Sequence, residues 1–194
     1  MHGLITTSLQ RFLRETYGAP VWAEIATRAC VPDGHFESML IYPEDVFDRT
    51  LEEAEAVLGK DSATILEDMG TFLISSPDIQ ALRRLLRFSG SSFSDFLNAL
   101  EDLRGRARLA VPALDIPSLE LNPLGGKRYR IDYTWHRPEG IHVIAGVLRA
   151  MADDYGALAF TETLTDEDGT AYLEVSVLDR QFAEGREFDL GAMA

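Results

Sequence analysis

The 194 residues are 46% hydrophobic and 26% charged, proportions that suit one globular domain with a real core and not a long disordered chain. A formal net charge of −14 argues against a general nucleic-acid binder, which needs a basic face, and no apolar run nears the roughly 20 residues of a membrane span. The single cysteine, Cys30, excludes an intramolecular disulfide. Together with an N-terminus too polar for a secretory signal, it points to a reducing, cytoplasmic setting.

Leu4, Ile5, Leu9, Phe12 and Leu13 recur at helical spacing until Gly18. Val21, Trp22, Ile25, Ala26 and Ala29 form a second stripe that begins just inside Pro20. The run YPEDVFDRTLEEAEAVLG sets Val46, Leu51, Ala54 and Leu58 among many acids, with Gly59 as its stop. SATILEDMGTFLI and PDIQALRRLLRF predict two further short helices. SFSDFLNALEDLRGRAR, from Ser92 to Arg108, reads as one amphipathic helix opened by Ser92 and Asp95 at capping-box spacing.

Beyond Arg108 the texture changes. Pro112 and Pro117 break the helix, and LELNPLGGKRYRIDYTW alternates like a strand pair around a glycine turn. Arg137, Pro138 and Glu139 start a helix whose Ile141, Ile144, Val147, Leu148 and Met151 face inward, until Gly156. ALAFTETL and TAYLEVSVL flank TDEDG, a loop with hairpin chemistry. The last dozen residues read as frayed. The fold class predicted is α+β: a helical half closing onto a small antiparallel sheet with one long helix.

No constellation here points to an enzyme. P-loop, G-x-S-x-G and H-E-x-x-H motifs are missing, and His2, His35, His136 and His142 lack metal-ligand spacing. The acidic pairs Glu52–Glu53 and Asp153–Asp154 read as solvated helix faces, and Cys30 as a core thiol closing an apolar helix. Arg83, Arg84 and Arg87, and likewise Arg104, Arg106 and Arg108, are local basic clusters able to attract an anionic ligand or an acidic partner. Two places stand out. In a continuous helix Arg104 falls inside the apolar arc of Phe93, Phe96, Leu97, Leu100, Leu103 and Ala107, so its charge needs either a partner anion or a route to water along its stem. In a continuous strand Tyr133, Trp135 and Arg137 share a face, a row that suits either gripping a planar anion or sheet packing with a surface arginine.

Taken with the N-terminus, these stretches resemble the haem-nitric-oxide/oxygen-binding family, H-NOX. MHGLITTSLQRFLRETYGAPVWAEI is similar to the family's opening, with a helix ending in Tyr-Gly and a following Trp. FLNALEDLRGRARLAVPALDIPSL resembles its haem-ligand helix and the proline-containing segment after it, and YRIDYTWHRPEGIHVIAGVLRAMADDYG its Tyr-x-Ser-x-Arg motif and next helix. The resemblance implies one domain over 1–182, a helical subdomain (about 1–60) over a helix-plus-sheet subdomain (about 61–182) with haem between them, and a tail at 183–194. It also implies sensing of a diatomic gas, passed in trans to a histidine kinase, cyclase or other signalling partner.

Carried over residue by residue, the family's iron-ligating histidine falls on Arg104. Tyr133 and Arg137 match the propionate-holding motif, while Trp135 stands where the family has serine. Pro117 falls at the proline that contacts the ring, and Ile5, Val143 and Val147 fall near distal-pocket positions. Arginine stays protonated and has no lone pair for iron, so no ordinary histidine-type ligation runs through residue 104. The expectation is a haem-independent regulatory domain with no cofactor. Arg104 and Arg137 would grip a small apolar carboxylate, or Arg104 would pair with an internal acid. The alternative is a haem or tetrapyrrole gas sensor with unusual ligation, through His142, His136 or an exogenous ligand.

Overall fold

The computed structural model describes residues 1–77 and 79–187. Helix α1 (Gly3–Tyr17) opens with the His2 ring accepting from the Leu4 amide, and it ends at Gly18, whose φ of 98° few other residues tolerate. Helix α2 (Ala19–Arg28) carries Pro20 in its first turn, where no amide is needed. Helix α3 (Glu44–Leu58) stops at Gly59 in the left-handed region. Helix α4 (Ser62–Ser75) is capped by Asp61, which accepts from the Thr64 amide at 2.7 Å. Their apolar faces close a first core around Leu9, Phe12, Trp22, Ile25, Phe47 and Leu66.

Helices α5 (Gln80–Arg87), α6 (Phe93–Asn98), α7 (Leu103–Ala110) and α8 (Ile141–Asp154) surround the second half. Strands β1 (Ser118–Gly125), β2 (Arg128–Thr134), β3 (Leu158–Thr165) and β4 (Ala171–Asp179) form an antiparallel sheet in the order β1-β2-β4-β3. Ile131, Leu173 and Val175 from its inner face meet Phe96, Leu97, Leu148 and Met151 in a second core. The two cores meet along α4, which buries Ile65, Leu66, Met69 and Leu73 in the first and Ile74 in the second. Helices α4 and α8 touch backbone to backbone. A β-carbon at Gly70 would lie 2.1 Å from the Val143 carbonyl oxygen, and one at Gly146 would lie 2.0 Å from that of Glu67.

Several expectations are corrected. The stretch 92–108 is not one helix. The capping box of Ser92 and Asp95 forms, but after Asn98 the chain tightens into three-residue turns, with Leu100 N–H bonding Leu97 O and Leu103 N–H bonding Leu100 O. That break changes the helical phase, so Arg104 leaves the stripe of Phe93, Phe96 and Leu97. Strand β2 ends at Thr134, so Trp135 and Arg137 are not in one strand row with Tyr133. Asp154 is no solvated acid. It is 1% exposed, with Arg83 at 2.8 Å and Arg87 at 3.5 Å. Cys30 is exposed, at a φ of 52°. In the tail read as frayed, Ala183 N–H bonds Gly156 O and Arg186 N–H bonds Asp154 O, while residues 188–194 lie outside the described residues.

Candidate functional site

Asp115 lies on the irregular segment between α7 and β1 and gathers the residues that the sequence singles out. Arg104 Nη2 donates to its Oδ1 at 2.8 Å, and the Trp135 indole N–H donates to its Oδ2 at 2.7 Å. Arg108, one turn beyond Arg104 on α7, reaches the same Oδ1 at 3.3 Å. The His136 ring stands 3.5 Å from Oδ2 and, on its other side, 3.3 Å from Glu44 of α3. These donors hold the Asp115 carboxyl below the usual carboxylate range. The Trp135 hydrogen bond contributes most and Arg104 and Arg108 add to it, against an opposing effect of partial burial. Arg104 therefore answers its misplaced charge with an internal acid, and its side chain keeps 33% exposure.

Arg137 is the buried arginine of the pair, with 7% of its side chain exposed. Glu139 binds its Nε at 2.9 Å, Asp48 binds Nη2, and Glu44 stands 3.7 Å from Nη1. Its guanidinium also lies over the Phe47 ring at 4.9 Å. Three acids and a ring, mostly from α3, thus tie the end of β2 to the first subdomain. Tyr133 donates its hydroxyl to the Arg137 carbonyl at 2.7 Å, and burial, aided by the Glu139 charge, pushes its pKa far up. Gly140 makes room for both rings. A β-carbon there would lie 2.4 Å from the Tyr133 hydroxyl and 2.9 Å from the Trp135 ring.

The remaining expected positions are divided between the cores. Ile5 and Val143 are half-buried at the margin of the first core. Val147 is buried in the second, and Pro117 is buried just ahead of β1. His142 lies in the fields of Asp61 and Glu139, and burial holds its imidazole below the ordinary histidine range against both acids. Among the described residues no three His, Cys, Asp or Glu side chains are grouped to hold a metal ion. No helix among them is long and apolar enough to cross a membrane.

Asp115, Glu44, Asp48 and Glu139 are the functional neighbours that the sequence reading missed. Asp115 carried one usable signal, an acid isolated among apolar residues between Pro112 and Pro117. Glu44 and Asp48 sit one helical turn apart, hidden in a helix rich in acids.

Comparison with known proteins agrees with this architecture. A family model described as haem-NO-binding (HNOB) matches residues 2–160. Soluble guanylate cyclase gcy-31 of Caenorhabditis elegans is 22% identical over 182 residues, covering 94% of this chain and 26% of that protein. Soluble guanylate cyclase 89Da of Drosophila melanogaster is 21% identical over 158 residues, or 81% and 24%. The chain thus spans about a quarter of the length of the curated relatives it matches. Among solved structures, the Fe(II) unliganded H-NOX protein from K. algicida superposes with a TM-score of 0.80 at 16% identity, covering 95% of this chain and all of that one. An Fe(II) H-NOX protein from S. oneidensis gives 0.79 at 16% identity, covering 93% and 97%. With a family match over most of its length and the fold to go with it, this chain belongs to the haem-NO-binding, or H-NOX, family.

Proposed function

We propose that this protein is a regulatory H-NOX domain that works without haem and acts in trans on a signalling partner in the cytoplasm, with no catalysis of its own. The observation that carries the reading is the joint engagement of Arg104 and Trp135 by Asp115. The residues present do not fit the family's cofactor. Residue 104 offers a guanidinium with no lone pair for iron. Position 135 holds a bulky indole bonded to an internal acid in place of a small hydroxyl. Arg137 is neutralised by Asp48, Glu44 and Glu139, so a propionate would have to displace carboxylates already in place.

The two-subdomain arrangement supports a regulatory role, because α4 and the Arg137 cluster join halves with separate cores. The relatives named as guanylate cyclases favour a cyclase-type partner, and a histidine kinase is the other class that this kind of domain suits. A second reading, haem or another tetrapyrrole bound through an unusual ligand, draws on His142, whose burial favours the neutral, ligand-competent ring.

The test is haemin titration of the unmodified protein and two variants. Arg104→His alone takes up no haem while Trp135 and Asp115 remain, whereas Arg104→His with Trp135→Ser gains a Soret band. Stoichiometric uptake by the single variant would remove Trp135 from the explanation, and uptake by the unmodified protein would overturn haem independence.

A further inference from the structure

Three donors share the Asp115 carboxylate. Two guanidinium groups and an indole N–H converge on it from α7 and from the segment after β2. Arg104 is under-used. Its Nη2 bonds Asp115, but its Nε is buried and has no hydrogen-bond partner among the described residues. A carboxylate that takes Nε and Nη2 together makes the stronger, bidentate contact. The present occupant is therefore a poorer fit than the site allows.

The occupant is not held by a regular element. Arg104 and Arg108 stand on a helix and Trp135 is wedged against Gly140, while Asp115 sits on a segment without helix or strand and keeps 43% of its side chain exposed. Leu103, next to Arg104 in the chain, and the Trp135 ring are both half-buried against the second core.

We propose that Arg104, Arg108 and Trp135 form a binding site for an organic monocarboxylate with an apolar body, and that Asp115 is its built-in, displaceable occupant. This rests on the haem-independent reading and names its ligand class. An entering carboxylate takes the Arg104 fork and the indole N–H while its apolar part lies along Trp135 and Leu103. Asp115 is released, and with it the segment that joins α7 to the edge strand β1, so occupancy is converted into movement of the loop between helix and sheet.

A tethered carboxylate competes at an effective concentration of roughly millimolar, so a free ligand binds the unmodified protein weakly and the Asp115 variant well. The probe is sodium benzoate, titrated at constant ionic strength with sodium chloride as the control anion. The readout is the indole N–H cross-peak of Trp135 in a proton–nitrogen correlation spectrum, assigned with Trp135→Phe. In Asp115→Asn, benzoate is expected to shift this peak saturably, with at least tenfold higher affinity than in the unmodified protein, and Arg104→Met in that background abolishes the shift. A peak that does not move in Asp115→Asn, moves equally in both proteins, or still moves after Arg104→Met overturns the proposal. If Asp115→Asn does not fold, the unmodified protein at high benzoate must still show a saturable shift that Arg104→Met removes, and its absence also overturns the proposal. Failure of the haem-independent reading is seen separately, as a Soret band, without benzoate.

Discussion

Arg104 and Trp135 bind opposite oxygens of the same carboxylate, Arg104 on Oδ1 and Trp135 on Oδ2 of Asp115, at 2.8 and 2.7 Å. In the reading proposed above, these are the positions where the resemblance places the family's ligand histidine and motif serine. Joined through Asp115, they form one local arrangement: a cation and an N–H share an acid supplied by the chain itself. A reversal at either position alone leaves part of this network without its partner. For that reason the single Arg104→His variant is not expected to recover the family's chemistry.

Asp115→Asn at neutral pH is expected to cost about 1 kcal/mol of folding stability, because the ion pairs are a third to half exposed and solvent screens them. The pH dependence follows from the depressed carboxyl pKa. The contribution is complete above the unfolded carboxylate value of about 4 and disappears as pH falls through the lower folded value. Urea unfolding of both proteins from pH 7 to pH 2.5 checks this. The gap between them should close only at the acid end.

Gly70→Ala should destabilise by about 3 kcal/mol. The added carbon would meet the Val143 carbonyl oxygen at 2.1 Å, and main chain cannot rotate aside as a side chain can. Since Val143 and Val147 stand on this face of α8, the substitution also pries α4 from α8 where the two subdomains join. Chemical denaturation measures the loss. An unchanged midpoint would mean that the helices have slack.

His142 has a pKa depressed mainly by burial. The folded protein then binds fewer protons than the unfolded chain once pH falls below the ordinary histidine value of about 6.5, so stability declines as pH drops through that range toward the folded value. His142→Gln should flatten the stability profile between pH 7 and pH 5 and leave the carboxylate-dependent acid limb intact. Thermal melts across this interval test it.

Most of the helix punctuation was legible in the sequence because it is local chemistry. Gly18, Gly59, Pro20 and the Ser92–Asp95 box act on backbone groups within a turn of themselves. The break after Asn98 was not legible, because Leu100 and Leu103 keep their apolar character whether the turns close over four residues or three. Arg104 was read as needing either an anion or a route to water, and periodicity carries no information about the loop that delivers Asp115 to it. Asp48 and Asp154 were hidden for a related reason: an acid on a helix reads as solvated until tertiary contacts bring arginines from elsewhere, Arg137 to one and Arg83 and Arg87 to the other. The family resemblance pointed to Arg104 and Trp135, and the geometry adds Asp115, bonded to both.

The central claim is that this H-NOX chain operates without the family's cofactor. The most direct measurement is the absorbance spectrum of the protein purified from haem-supplemented cells, followed by addition of haemin. The account predicts a protein with no stoichiometric Soret band that takes up no added haemin. A strong band at one haem per chain would contradict it.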